Sequence, residues 1–178
     1  MYSAADPYLN IHKKPPRSTH RLAPILESRA AEQAALREQV FSTTLFQSLP
    51  QPSNLTIVDI GCGTGAIARE LARRPNVRTV LGIDPAPYLI EEAHRLAAAD
   101  PHANKINGKM EFRVGLGAAL PVGDGIADLA VIWTGSYRRC GVPQCTPDWK
   151  KYIDKNATRP RYCFWNTESD EEGNTYFR

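Results

Sequence analysis

Two carboxylates and three glycines at fixed spacing are the residues of this chain best suited to chemistry: Asp59, Gly61, Gly63, Gly65 and Asp84. The run V-D-I-G-C-G-T-G-A (58–66) sets a glycine at every second position, with Cys62 between the first two as a small filler rather than a nucleophile. Residues without β-carbons permit a tight turn and let a ligand lie against bare backbone, and a helix opening just afterwards aims its free N–H groups at the same place. Asp59 ends an apolar run two residues before Gly61, where a buried carboxylate is costly unless something pairs with it. A cationic ligand group would relieve that cost; so would capping the following helix. Asp84, 19 residues after Gly65 (84 minus 65), closes a second apolar run, where a carboxylate can accept both hydroxyls of a ribose or cap the helix after Pro85. For each acid both roles stand open, and for the glycines so does a plain strand-to-helix turn.

The elements that must position these residues are legible from hydrophobic periodicity. ESRAAEQAALREQVFSTTLFQSL (27–49) carries Phe41, Leu45 and Leu49 at i, i+4, i+8, which predicts one amphipathic helix ended by Pro50 and Pro52. TIVDI (56–60) predicts a strand. After the glycine turn comes a short helix with Ile67 and Leu71 inward and Arg69, Glu70 and Arg73 facing away, closed by Pro75-Asn76. TVLGI (79–83) predicts a second strand, and Leu89, Ala93, Leu96 and Ala97 stripe the next helix. MEFRV (110–114) and IADLAVIW (126–133) supply two more strands, separated by Leu120-Pro121 and the turn former Gly123-Asp124-Gly125. Strands alternating with helices require crossover connections. The fold class is therefore α/β: a doubly wound, Rossmann-like, mostly parallel sheet with helices on both faces. Ligands bind such sheets at the carboxyl ends of the strands, where the strand order reverses.

Three stretches follow from the pattern: a basic arm over 1–24, rich in proline; a Rossmann-like domain over 25–133; and an irregular segment over 134–178 packed on or trailing from it. Within the last, Tyr162 to Trp165 reads as an edge strand and Glu168 to Glu172 as a solvated turn. At 178 residues, 42% hydrophobic and 23% charged, the chain suits one globular domain. Its net charge of +3 is local to the arm. Residues 25–133 hold ten basic and twelve acidic side chains, so the body lacks the basic stripe that nucleic acid demands. No apolar run approaches the ~20 residues of a membrane helix, and four scattered cysteines make no disulfide framework. A cytoplasmic, reducing setting without a membrane partner is the expectation. Cys140 and Cys145, spaced C-x4-C with Cys163 far along, lack a paired histidine, so no metal is expected.

V-D-I-G-C-G-T-G-A-I-A-R-E-L-A, then G-I-D-P-A-P-Y-L-I-E-E-A, then F-R-V-G-L-G-A-A-L-P-V-G-D-G-I-A-D-L-A-V-I together resemble the class I S-adenosylmethionine (SAM) dependent methyltransferases of the ubiquinone/menaquinone-biosynthesis type. The resemblance runs from about Glu27 to Trp133. It implies a transferase acting on a small-molecule acceptor, a secondary metabolite or a quinone-like compound. It also implies SAM as cofactor, with its methionine part against Asp59, Gly61, Cys62, Gly63 and Gly65 and its ribose on Asp84. Ile83 and Pro85 would flank the adenine and Gly115 and Leu116 would border it. The helix over 27–49 would lie over the cofactor, with Arg29 either a partner for its carboxylate or a solvent-facing arginine.

Two departures stand out. Family members usually carry an acid where this chain has Leu116, which predicts weaker adenine binding. The usual enzyme also continues well past Trp133, beyond the 45 residues found here, so the seven-stranded methyltransferase fold is expected to be incomplete. Methyl transfer from a sulfonium is an in-line displacement that needs positioning more than a general base. None of His12, His20, His94 and His102 is placed to act, and no catalytic residue is named; Trp133 and Tyr137 would line an acceptor pocket or simply pack. Two other classes compete: a non-catalytic SAM-binding fragment or interaction protein, and a nicotinamide-dependent oxidoreductase, since Gly61, Gly63 and Ala66 also fit G-x-G-x-x-A. Asp59 opposes the latter, because an acid there would repel a pyrophosphate.

Overall fold

The first strand is apolar on both faces, as a strand covered on both sides must be: every residue of β1 (Leu55–Ile60) is buried. The structure, a computed structural model, describes residues 19–42, 54–117, 119–133, 163–169 and 175–177. After β1 come α3 (Ala66–Ala72), β2 (Val77–Asp84), α4 (Pro87–Ala98), α5 (Ala103–Ile106), β3 (Met110–Val114), β4 (Leu129–Ile132), β5 (Cys163–Ser169) and β6 (Thr175–Phe177), with α1 (Thr19–Glu32) and α2 (Ala34–Val40) ahead of them. The sheet order is β3-β2-β1-β4-β5-β6. The first five strands are parallel, and β6 runs antiparallel to β5. Six strands are thus present among the described residues, in a Rossmann-like sheet that falls short of seven.

The chain works outward from β1 to β2 and β3, then returns to place β4 on the other side of β1. That reversal puts the switch point at the carboxyl end of β1, the place the glycine turn occupies. Alternate residues of β1 feed two cores. Leu55 and Ile57 join Phe41, Ala68, Leu71, Val80, Ile90, Phe112 and Trp133 beneath the helices. Val58 and Ile60 join Leu81, Ile83, Leu120, Ala127 and Ala130 on the opposite face.

Several boundaries differ from the sequence reading. The helix expected over 27–49 begins eight residues earlier, at Thr19, and is split at Gln33. Pro24 does not keep the chain extended: it lies in the second turn of α1, where its missing N–H costs one bond near a helix end. The split falls where the Gln33 side chain accepts a hydrogen bond from the Trp133 indole at 2.9 Å. Residues 43–49 and 1–18 lie outside the described residues. The expected strand over 126–133 shrinks to Leu129–Ile132, because Asp128 stands in for a strand residue. Its carboxylate accepts the Thr56 N–H at 2.7 Å while its own N–H donates to the Thr56 carbonyl at 2.8 Å. Of the segment expected as an edge strand at Tyr162 to Trp165, Tyr162 lies outside the described residues and the rest belongs to the longer β5, an interior strand between β4 and β6. Glu168 belongs to it rather than to a turn; residues 170–174 and Cys140, Cys145 and Tyr137 lie outside the described residues.

Candidate functional site

Register brings the two acids together. Asp59 lies beside Gly82 and Ile60 beside Ile83, so the ends of β1 and β2 are level. The Ile83 carbonyl accepts the N–H groups of both Gly61 (2.7 Å) and Cys62 (3.1 Å), which folds the glycine turn back onto β2. Gly61, Gly63 and Gly65 all have positive φ, 76°, 54° and 74°, a conformation that side chains resist. Gly65 faces a second constraint: a β-carbon there would stand 2.7 Å from the Phe112 ring.

Asp84 is 7% exposed and binds with both oxygens. Oδ2 accepts the Gly63 N–H at 3.0 Å and Oδ1 the Ala86 N–H at 2.9 Å. Asp84 thus holds the glycine turn and the Ala86 N–H just ahead of α4 without capping that helix, whose N-cap is Ala86 with no side-chain bond, and each carboxylate oxygen keeps a lone pair for a further donor. The Asp84 carbonyl accepts the Gly115 N–H at 3.0 Å, joining the third sequence motif to the second. Pro85 follows half-buried, and Ile83 is 1% exposed, in the core of the opposite face. Leu116 is half-buried and its carbonyl takes the Ala119 N–H at 3.0 Å.

Asp59 is the unusual member. It is 1% exposed; the Ala68 N–H, in the first turn of α3, hydrogen-bonds its carboxyl, yet Oδ2 is buried with no hydrogen-bond partner. Burial first, and the neighbouring Asp84 charge second, push its pKa up from the usual 3.8 to about 7; Arg37 offsets part of this. Half of the carboxylate is a cap, as one reading of the sequence allowed, and half lacks a partner. Cys62, also buried, has its thiol pKa raised well above the ordinary value by burial first and then by Asp59 and Asp84, so it stays protonated and inert.

A lid of helix covers the turn. Leu26 of α1 lies 3.7 Å from where a Gly63 β-carbon would be. Glu27 accepts the Thr64 hydroxyl and an Arg69 N–H, each at 2.6 Å. Arg69, expected to face solvent, is only 7% exposed: it also donates to the Thr64 carbonyl at 2.8 Å and pairs with Asp100 at 3.3 Å. Its helix position was right for a surface residue only if α1 were elsewhere; with α1 on top Arg69 is covered, whereas Arg73 stays exposed and Glu70 half-buried. Arg37 of α2, 2% exposed, reaches Glu70 with two N–H groups and lies 5.8 Å over the Trp133 ring. Trp133 is core, in edge contact with Phe41. Arg29 is exposed and His102 is exposed at the end of the sheet-flanking helices, while His94 packs its ring on Phe112 at 5.3 Å. Among the described residues no cluster of metal-ligating side chains occurs, and no helix is long and apolar enough to cross a membrane. A hollow of about 290 Å³ beside edge strand β3, lined by His94, Ala97, Ile106, Asn107, Met110 and Phe112, includes none of the glycine-turn residues.

The model of the family described as methyltransferase domain matches residues 57–152, more than half of the chain. The chain belongs to the methyltransferase-domain family. Within it, the mitochondrial ubiquinone biosynthesis O-methyltransferase of Schizosaccharomyces pombe is 35% identical over 72 residues, 40% of this chain and 24% of that protein. The chain thus matches about a quarter of its curated relative's length. The fold agrees with a solved structure of a candidate SAM-dependent methyltransferase from Methanococcus maripaludis, at 20% identity and a TM-score of 0.56, over 80% of this chain and 55% of that one. A SAM-dependent methyltransferase of Methanosarcina mazei is 35% identical, with a TM-score of 0.41, over 48% of this chain and 38% of that one. The nicotinamide oxidoreductase alternative finds no support among these family members.

Proposed function

We propose that this methyltransferase-domain chain binds SAM at the glycine turn and transfers its methyl group to a small-molecule acceptor. The observation that carries the reading is the buried, unpartnered Oδ2 of Asp59 beside Asp84 at the switch point of the sheet. An orphaned buried carboxylate oxygen calls for a donor, and the ammonium group of a methionine moiety is one of the right charge. Gly61, Cys62, Gly63 and Gly65 supply side-chain-free or small backbone against which that moiety lies. Asp84, already fixed by two N–H groups, is held rigid to accept ribose hydroxyls. Ile83, Pro85, Gly115 and Leu116 give the adenine an apolar border, with no acid to take its amino group.

When bound, SAM supplies an electrophilic methyl on a sulfonium centre. The work left to this chain is to orient and to exclude water, which α1 does over the turn through Leu26 and Glu27. A quinone-like or secondary-metabolite acceptor is favoured by the ubiquinone-pathway relative and by the balanced charge of residues 25–133, and a cytoplasmic setting by the scarcity of cysteine.

Calorimetry with S-adenosylhomocysteine, run beside NAD, tests the binding half, and transfer of radiolabelled methyl to a metabolite extract tests the chemistry. Saturable homocysteine-nucleoside binding and labelled product are expected. Binding without transfer would reduce the protein to a SAM-binding module; NAD binding alone would overturn the reading.

A further inference from the structure

From the ring of contacts Glu27–Thr64–Arg69 we infer that Arg69 is a positioning residue, which sets the shape of the glycine turn and ties it to α1. This rests on the reading of that turn as the cofactor site. The guanidinium uses three directions for three parts of the chain. One N–H goes to the Thr64 carbonyl inside the turn (2.8 Å), one to Glu27 on α1 (2.6 Å), and Nε faces Asp100 after α4 (3.3 Å). The Thr64 hydroxyl closes the ring by donating to the other Glu27 oxygen at 2.6 Å. A planar, forked cation can serve such divergent acceptors at once; a lysine ammonium on a flexible stem cannot hold the same directions.

The pairings also separate positioning from bulk stability. Asp100 keeps a second partner, Arg73 at 2.6 Å, and the His102 N–H at 2.8 Å, if Arg69 is removed. Although burial would raise it, these donors hold the Asp100 carboxyl below the usual range. The Glu27 side chain is about a third exposed, at 32%, and can take water instead. What has no replacement is the hold on the Thr64 carbonyl, in the backbone between Gly63 and Gly65; the Thr64 hydroxyl keeps only its side-chain tie to Glu27. Losing Arg69 therefore loosens three residues of backbone, at the point where the ligand's contacts are to backbone.

The test uses the ligand-free protein first. In Arg69→Met, amide exchange at Gly63, Thr64 and Gly65 should speed up at least about tenfold, the change from losing one charged hydrogen bond, while the β1 and β2 amides keep their protection. Glu27→Gln should show the same pattern more weakly, and Arg69→Lys should retain the charge yet leave the turn fast. In calorimetry the affinity of Arg69→Met for S-adenosylhomocysteine should fall by about tenfold or more, and Arg69→Lys should not restore it. Equal loss of protection across turn and sheet, or full rescue by lysine, would show a merely structural or merely electrostatic arginine and overturn the inference. Should Arg69→Met fail to fold, Glu27→Gln carries the same test, and an unchanged turn there would count against it. If the wild-type chain binds no S-adenosylhomocysteine, the cofactor reading fails, whereas the exchange data still decide what Arg69 does.

Discussion

Asp59 sits where folding and binding make opposite demands. With its pKa moved from 3.8 to about 7, the native protein holds a proton that the unfolded chain releases across that interval, so stability falls as pH rises from about 4 to about 7. Once the group is ionised the cost is about 4 kcal/mol. Asp59→Asn should remove this slope: urea unfolding of the ligand-free variant at pH 8 should show a gain of a few kcal/mol over wild type, and little gain at pH 4. For binding the sign reverses. A cationic partner needs the ionised carboxylate, so affinity for S-adenosylhomocysteine should weaken up to about tenfold per pH unit below 7, with a proton released on binding. Asp59→Asn should bind poorly at every pH; a pH-independent isotherm for the wild type would contradict the assignment. Asp84→Ala should lower affinity at least about tenfold and destabilise by about 1–3 kcal/mol, since the Gly63 and Ala86 N–H groups lose their acceptor. Both acids were visible in the sequence as strand-end carboxylates. Which N–H groups each would accept was not, because a cap, a turn clasp and a ligand contact ask for the same residue type at the same spacing. Arg69 was missed for a related reason: helical periodicity reports which face of α3 meets the sheet, and contains nothing about a second helix covering the other face.

Elements were most legible where one physical pattern acted alone. TIVDI and TVLGI fall within β1 and β2, because buried parallel strands are continuous apolar runs bounded by turn formers, and MEFRV matches β3 residue for residue although only Phe112 of that edge strand is buried. Boundaries slipped where tertiary contacts intervened, as at Asp128, whose side chain imitates a strand neighbour, and at Gln33, where a bond to Trp133 meets the end of α1. Trp133→Phe tests the latter: it keeps the ring against Phe41 and removes the indole N–H. A loss of about 1 kcal/mol by urea unfolding, with faster exchange at the α1–α2 junction, is expected. Strand β5 was the hardest to read, since a short apolar run says nothing of which strand it will join.

For the whole molecule, the sheet order places the reversal at β1 and so gathers Asp59, the glycine turn, Asp84 and Gly115 from more than fifty residues of sequence into one rim. Binding there must stabilise the entire cooperative unit. At a hundredfold excess over the dissociation constant, S-adenosylhomocysteine should add about 2.7 kcal/mol to the unfolding free energy, and thermal unfolding should report it as a raised midpoint. No shift with that ligand, alongside a shift with NAD, would be the contrary result. Phe112, on the edge strand, reaches across to two distant glycines: a β-carbon at Gly82 would come within 2.5 Å of its ring, and one at Gly65 within 2.7 Å. Positions 65, 82 and 112 consequently cannot drift independently. A methyl group gained at 82 is tolerable only after the aromatic ring has given way to something smaller, so lineages descending from this chain should exchange these residues in matched pairs, one shrinking before the other grows.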